Sequence, residues 1–340
     1  MVAMDVFNSD AFSMMSLTAA IERTPYVPNF LGSLNIFTPK PVTTRAVAME
    51  EINGRIALIQ TDRPGAAPAT RENEKRKLRY HETVRLAQSD TLYAETIQGI
   101  RAFGSETEMQ TMMQEWARRT ATLRRNMELT HEWHRLGAIQ GLVLDADGTS
   151  VIVDWFTFWG IDRPAEFDFA LGTATTDVRG KCMAVRRAME RAAKGMMPMG
   201  TAIHALAGDE FFDALIDHDT VRATYLNWAA AADLRNDLAF RSFNYGGITF
   251  HNYRGTDDNS LVSVAGPDCK FFPVGAPDIF EVAHAPGEWF GVVNTPGRPL
   301  YQLSIVDRDR MAWVKNELYS YPLYICTTPG VLQRATANAS

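Results

Sequence analysis

Between Ser105 and Leu136 the sequence carries a helical pattern longer than most compact domains absorb, and this stretch constrains the architecture more than any other. Met109, Met113, Trp116, Thr120, Leu123, Met127, Thr130 and His134 recur at alternating spacings of four and three. They are flanked by Glu115, Arg118, Arg119, Arg125, Glu128 and Arg135. Ser105 and Glu108 form a capping-box pair, each side chain able to satisfy the other's backbone N–H, and Gly137 supplies the expected stop. A helix over 105–136 is roughly 48 Å long. With one narrow apolar seam it suits a spine; a coiled-coil hairpin would need a second heptad segment of similar length, and none follows.

Upstream, a short helical pattern (Phe12, Met15, Leu17, Ile21) runs into Pro25, Pro28, Pro39 and Pro41, which forbid its continuation, so 1–41 reads as an N-terminal arm. Next come β-rich residues 42–52 and 55–60, meeting at Asn53-Gly54, a dipeptide that tolerates the positive φ of a type I′ turn. Residues 61–82 are Pro/Gly/Ala-rich and then densely charged, with too little apolar material to bury a face. A projecting segment of this length suggests ordering against another chain. Its run of Arg71, Glu72, Glu74, Lys75, Arg76, Lys77 and Arg79 interleaves both signs. Salt bridging to another subunit explains that mixture better than nucleic-acid contact does.

Downstream, 138–144 and 150–156 read as a hairpin around Asp147-Gly148. Helical patterns follow near 180–194, 208–217 and 219–235, then a strand- and turn-rich region from Phe243 to about Val306, and a last strand-like stretch over 318–328. There are no internal repeats and no regular βαβ alternation. The fold class is α+β.

Few constellations suggest chemistry. His131 and His134 stand at i, i+3, whereas a zinc helix needs i, i+4 with Glu beside the first. Asp145, Asp147 and Gly148 resemble the opening of a calcium loop but lack its later ligands, and a turn accounts for them. Phosphate-binding glycine loops and the GxSxG elbow are absent. The acidic stretch Asp209, Glu210, Asp213, Asp217 and Asp219 is interleaved with Phe211, Phe212, Leu215 and Ile216, as in a half-buried helix. Cys182, Cys269 and Cys326 lie far apart and encode no thiolate metal site. A formal charge of -6 argues against a broad basic nucleic-acid face, and no run approaches 18 uninterrupted apolar residues. No cofactor, metal or membrane contact is expected.

Several strings, taken in order, resemble the major capsid protein E family of lambda-like tailed phages over nearly the whole chain. They are LTAAIERTPYVPNFLGSLNIF (17–37), IQGIRAFGSETEM (97–109), THEWHRLGAIQGLVLDADG (130–148) and LAGDEFFDALIDHDTVRATY (206–225). FNYGGITFHNYRG (243–255), CKFFPVGAPDIFEVAHAPGEW (269–289) and YPLYICTTPGVL (321–332) continue the series. The resemblance implies the tailed-phage major capsid fold, with an N-terminal arm (1–41), an extended loop (42–82) and a peripheral domain (83–194) built on the spine helix. An axial domain (195–305) and a C-terminal return (306–340) complete it.

It also implies a structural subunit, not an enzyme, that tiles an icosahedral shell of pentamers and hexamers around double-stranded DNA without reading its sequence. Such a shell is assembled in the host cytoplasm and becomes the phage head. Inter-subunit contacts are expected at Asn53, Gly54, Arg71, Lys75, Arg76, Lys77 and Arg79. Portal, scaffold and decoration proteins are the expected partners; with only a short leader before the arm, any scaffold is a separate protein or dispensable. Three other readings stay open: a compartment shell of the same architecture, a cytoplasmic enzyme with a pocket around His251, Asp257 and Asp258, and a nucleic-acid-binding module whose DNA affinity would fall steeply with salt.

Overall fold

The computed structural model describes residues 30–52, 76–98, 108–226, 242–253 and 263–338. The N-terminal helical pattern at 12–21, Asn53, Gly54, Arg71, Lys75, Asp257 and Asp258 lie outside the described residues.

The first described elements are a one-turn helix α1 (Phe30–Ser33), strand β1 (Thr38–Pro41) and the antiparallel pair β2 (Ala46–Ile52) and β3 (Arg76–Glu82). Strand β4 (Leu86–Tyr93) and a short α2 (Ala94–Gln98) lead to the long helix α3 (Glu108–Gln140). The hairpin β5 (Leu142–Leu144) and β6 (Val151–Asp154) follows, then α4 (Trp155–Trp159), β7 (Phe167–Asp168) and α5 (Val178–Ala193). Strand β8 (Ala202–Ala207) precedes α6 (Asp209–Asp217) and α7 (Asp219–Leu226). The remainder is β9 (Ser242–Tyr245), β10 (Ile248–Asn252), β11 (Asp268–Val274), β12 (Phe280–His284), β13 (Tyr301–Val306), β14 (Trp313–Ser320), β15 (Pro322–Cys326) and β16 (Gln333–Thr336).

Two hydrophobic cores divide at a sheet. The six strands run β7-β16-β11-β8-β10-β9, and alternation decides which side chain goes where. Ile203, Ala205, Ala207, Ile248, Phe250, Cys269 and Phe271 face one way, where Val178, Cys182, Val185 and Met189 of α5 and Phe211, Phe212 and Leu215 of α6 cover them. Leu206 and Phe272 face the other way, into a core shared with Leu136 and Ile139 of α3, Trp155 of α4 and β12 and β15. Strands β1, β12 and β15 form a three-stranded sheet on that side, and β13, β14 and β4 form another. By its buried contacts α5 packs on the six-stranded sheet. Strand β16 returns to the same sheet from the C-terminal end.

Several elements differ from the sequence expectation, each for a packing reason. Strand β2 pairs with β3, Ala46 opposite Glu82 through Ile52 opposite Arg76, whereas the strand expected over 55–60 lies outside the described residues. The charged segment 76–82 was legible only as arm, yet its Arg79 and His81 lie opposite Met49 and Val47 and lay their carbon frameworks against the core. The long helix runs past Gly137 to Gln140 and stops at Gly141, whose φ is 77°. Gly137 is there for proximity: a Cβ on it would lie 2.8 Å from Val143 Cα and 2.9 Å from the Leu142 carbonyl oxygen, so β5 can fold back onto the helix only at glycine.

The apolar seam also changes character along α3. Trp116, Leu123 and Met127 are buried in a narrow line and Met113 is exposed, but from His131 to Ile139 most of the circumference is covered. There the helix enters the core between α1, β15 and the β5–β6 hairpin. The stretch 318–328 is two strands in two different sheets, broken at Tyr321.

Replacing Gly137 by Ala is expected to destabilise the protein by about 1–3 kcal/mol, although alanine is the better helix former by about 1 kcal/mol. Urea unfolding decides the sign: a gain in stability means that β5 does not press on the helix.

Candidate assembly interface and the junction behind it

The β2–β3 ribbon has an inner and an outer face. Val47 and Met49 are buried, whereas Leu78 and Tyr80 on the opposite face are 53% and 64% exposed. Arg79 fastens the ribbon to its own chain: its guanidinium donates to the carbonyls of Phe158 and of Trp159 and lies 5.8 Å above the Phe158 ring. These are terminal carbonyls of α4, which a cation satisfies while complementing the helix dipole. Arg45 before β2 and Arg85 after β3 share one carboxylate, Glu288, at 3.8 and 2.9 Å, and Arg85 also lies over Tyr319. Of the residues expected to make subunit contacts, Arg79 is thus turned inward, and Arg76 and Lys77 occupy the far end of β3, opposite Ile52 and Glu51.

Behind the ribbon lies a junction that sequence reasoning missed. Glu132, in the buried third of α3, is 4% exposed. Its carboxylate accepts from the backbone N–H groups of Leu31 (2.7 Å) and Gly32 (3.3 Å), from the Tyr253 hydroxyl (3.2 Å) and from Arg135 (3.4 Å). One side chain therefore caps α1 and joins the long helix to the segment after β10. Phe30 stacks obliquely on His251 and Tyr253, at centroid distances of 4.8 and 5.9 Å, and completes the clasp. Burial pushes the Glu132 carboxyl above its ordinary range, with the Leu31 N–H, Arg135 and Tyr253 pulling the other way. The signal in sequence was a carboxylate within HEWH, which draws attention to its histidines first.

Those histidines are structural. His131 Nδ1 lies 2.9 Å from the Tyr324 hydroxyl, and His134 is 2% exposed. His251 Nε2 lies 2.9 Å from His204 Nδ1 across adjacent parallel strands. Among the described residues no group of three or more His, Cys, Asp or Glu is placed to hold a metal ion. Asp147 closes the β5–β6 turn, accepting from Thr149 N and from both Ser150 N and Oγ. A cavity of about 340 Å³ remains between α1, α3 and β12, bordered by Leu31, Arg124, His131, Arg135, His284 and Tyr324. Cys182, Cys269 and Cys326 are buried and unpaired, and burial raises each thiol above its ordinary range.

The described residues thus comprise a two-stranded ribbon fastened to the body, a long helix and a clasp within the core that the helix shares with α1 and the segment after β10. The sequence model described as phage major capsid protein E matches residues 13–337. The chain belongs to that family. This capsid protein is 26% identical to the major capsid protein of Salmonella phage Felix O1, over 96% of this chain and 97% of that one. Its fold is similar to that of a prophage protein from E. coli CFT073 described as a capsid protein, with a TM-score of 0.55 at 12% identity. The alignment covers 96% of this chain and 99% of the other. That likeness shows the fold alone, the tailed-phage capsid fold. The capsid protein is a subunit of the phage head, and among its described residues no helix is long and apolar enough to cross a membrane.

Glu132→Ala leaves two backbone N–H groups of α1 and the Tyr253 hydroxyl without their buried acceptor, with an expected cost of about 2–4 kcal/mol. Faster hydrogen exchange at Leu31 and Gly32 is the local signature; unchanged exchange there would show that the clasp does not depend on Glu132.

Acid dependence follows from the buried histidines. His134, His251 and His284 are held near 4 by burial, and His131 well below its ordinary value of 6.5. Between about pH 6.5 and 4 the unfolded chain therefore binds protons that the folded chain refuses, so stability falls on acidification. Glu132 acts oppositely, since its raised pKa lets the folded state take a proton first, but one carboxyl opposes these four imidazoles and that of His204, which burial lowers as well. Urea midpoints measured from pH 7 to pH 4.5 should decline, and His284→Gln should flatten the slope.

Proposed function

We propose that this capsid protein builds its shell chiefly through the β2–β3 ribbon, which reaches from its own body onto a neighbouring subunit. The pairing of Ala46–Ile52 with Arg76–Glu82 carries this reading. Among the described residues β2 and β3 pair only with each other, and an isolated two-stranded ribbon is marginally stable in water. Its base rests on the core through Val47, Met49 and Arg79, while Leu78 and Tyr80 face outward with no cover. A second subunit supplies the missing surface, and the tip residues Asn53, Gly54, Arg71, Lys75, Arg76 and Lys77 are the contacts assigned to it.

In this reading the unit around α3 is the peripheral domain and the unit around the six-stranded sheet is the axial one. The axial unit takes α5 from before residue 194 and β16 from the C-terminal segment. Arm, ribbon and both units contribute heterologous contacts that close into rings of five and six. Each contact is weak, and the lattice is stable because a docking subunit engages several neighbours at once. The shell encloses double-stranded DNA, with portal, scaffold and decoration proteins as separate partners. The chain's role is structural, with no catalytic step.

Replacing residues 53–75 by a short Gly-Ser linker tests the proposal. The stability is expected to stay within about 1 kcal/mol of the parent, since Val47, Met49 and Arg79, which fasten the ribbon, are untouched. Negative-stain microscopy should show hollow polyhedra from the parent and only small particles from the shortened chain; normal shells from the shortened chain would remove the ribbon from the mechanism.

A further inference from the structure

Two helices on the same face of the six-stranded sheet present stripes of opposite charge. Helix α5 contains Arg179, Lys181, Arg186, Arg187 and Arg191 against one carboxylate, Glu190, whereas α6 contains Asp209, Glu210, Asp213 and Asp217 and no cation. Packing fixes which of these groups look outward. Val178, Cys182, Val185, Met189 and Ala193 are buried, which leaves Arg179, Arg187 and Arg191 exposed, continued by Lys194. Lys181 is turned to the Asp168 carbonyl at 2.8 Å, and Arg186 pairs with Glu190 within the helix at 3.0 Å. On α6, Phe211, Phe212 and Leu215 are buried and Glu210, Asp213 and Asp217 are exposed. Met183 lies partly exposed between Arg179 and Arg187, an adaptable apolar spot inside the cationic stripe.

We infer that the cationic stripe of α5 in one subunit docks against the acidic stripe of α6 in the next copy of the chain, a charge-matched contact that closes the ring. The inference rests on the shell reading above and specifies one of its contacts. A ring needs two different, complementary patches on each copy, and these stripes lie on one structural unit of one molecule. A chain of net charge -6 has no general excess of cations from which such a stripe would arise by composition. Nucleic acid is the weaker occupant: it would satisfy α5 alone, while the carboxylates of α6 on the same sheet face would repel the phosphate backbone. Opposite charges steer the encounter and penalise a wrong register, where like would meet like. Over a Debye length of about 8 Å at physiological ionic strength the contact is sensitive to salt.

Charge reversal tests this with three full-length variants: Arg187→Glu with Arg191→Glu, Asp213→Lys with Asp217→Lys, and all four together. All change exposed side chains, and thermal melts verify the fold. At low salt each two-residue variant should need at least about tenfold more protein to form shells than the parent, because like charges now meet at the contact. The four-residue variant should assemble near the parent concentration, since complementarity returns with inverted polarity. Mixing the two defective variants restores the contact in strictly alternating order, which an even ring accommodates and an odd one does not, so hexagonal sheets or tubes should replace closed shells. Parent-like assembly by either two-residue variant, or failure of the four-residue variant to recover, overturns the inference. Intact assembly with loss of duplex-DNA binding in the α5 variant reassigns the stripe to nucleic acid. If the parent itself forms no particles, the shell reading fails first.

Discussion

Glu132 is the point on which the described parts of the molecule converge. A carboxylate at 4% exposure is costly to desolvate, and it is retained here because its oxygens accept from two backbone N–H groups, a tyrosine hydroxyl and an arginine. Those donors come from three separate parts of the chain. The entry turn α1, the buried third of α3 and the segment after β10 are thereby held in one arrangement. Hydrophobic contact alone is non-directional and would tolerate sliding of the sheet against the helix; a buried, multiply bonded carboxylate fixes the register. The histidines around it, kept neutral by burial, are compatible with that role because they add no second charge to the interior.

From this anchored centre the fold distributes its parts by function. The six-stranded sheet turns one face to the long helix and the other to α5 and α6, so the charged stripes of those helices are rigidly presented. Among the described residues the ribbon is fastened at its base by buried Val47 and Met49, by Arg79 at the end of α4 and by Glu288 between Arg45 and Arg85. A shell subunit needs this division. Its body must hold shape while many copies are added, and its contacts must be individually weak enough for misplaced copies to leave. With the inner face held by Val47, Met49 and these charge-assisted bonds, the outer residues Leu78 and Tyr80 stay exposed.

Long-range pairing explains where local reading succeeded and where it stopped. The spine helix was legible because its spacing repeats over many residues, and the β5–β6 hairpin because Asp147-Gly148 closes it locally. The end of the helix was misplaced by four residues because Gly137 carries the same local signal as a stop. What selects glycine there is the close approach of the Leu142–Val143 backbone, which leaves no room for a Cβ, a tertiary constraint. Strand β3 was missed because Arg76 to Glu82 is polar by composition. Only the presence of the core beneath Arg79 and His81 makes it a strand, with partners far back in the chain.

By itself the sequence determined the α+β class, the long helix, the half-buried acidic helix and the family to which the chain belongs. Each of these depends on periodicity, composition or ordered strings, all of which are local or one-dimensional. Tertiary structure decided that Glu132 is the clasp, that Arg79 is spent on its own chain, that α5 and β16 belong with the six-stranded sheet, and that the two charged stripes share one face. The physical reason is common to all four: each depends on groups distant in sequence meeting in a desolvated or shared surface, and the energy of such a meeting is set by geometry that no single segment contains.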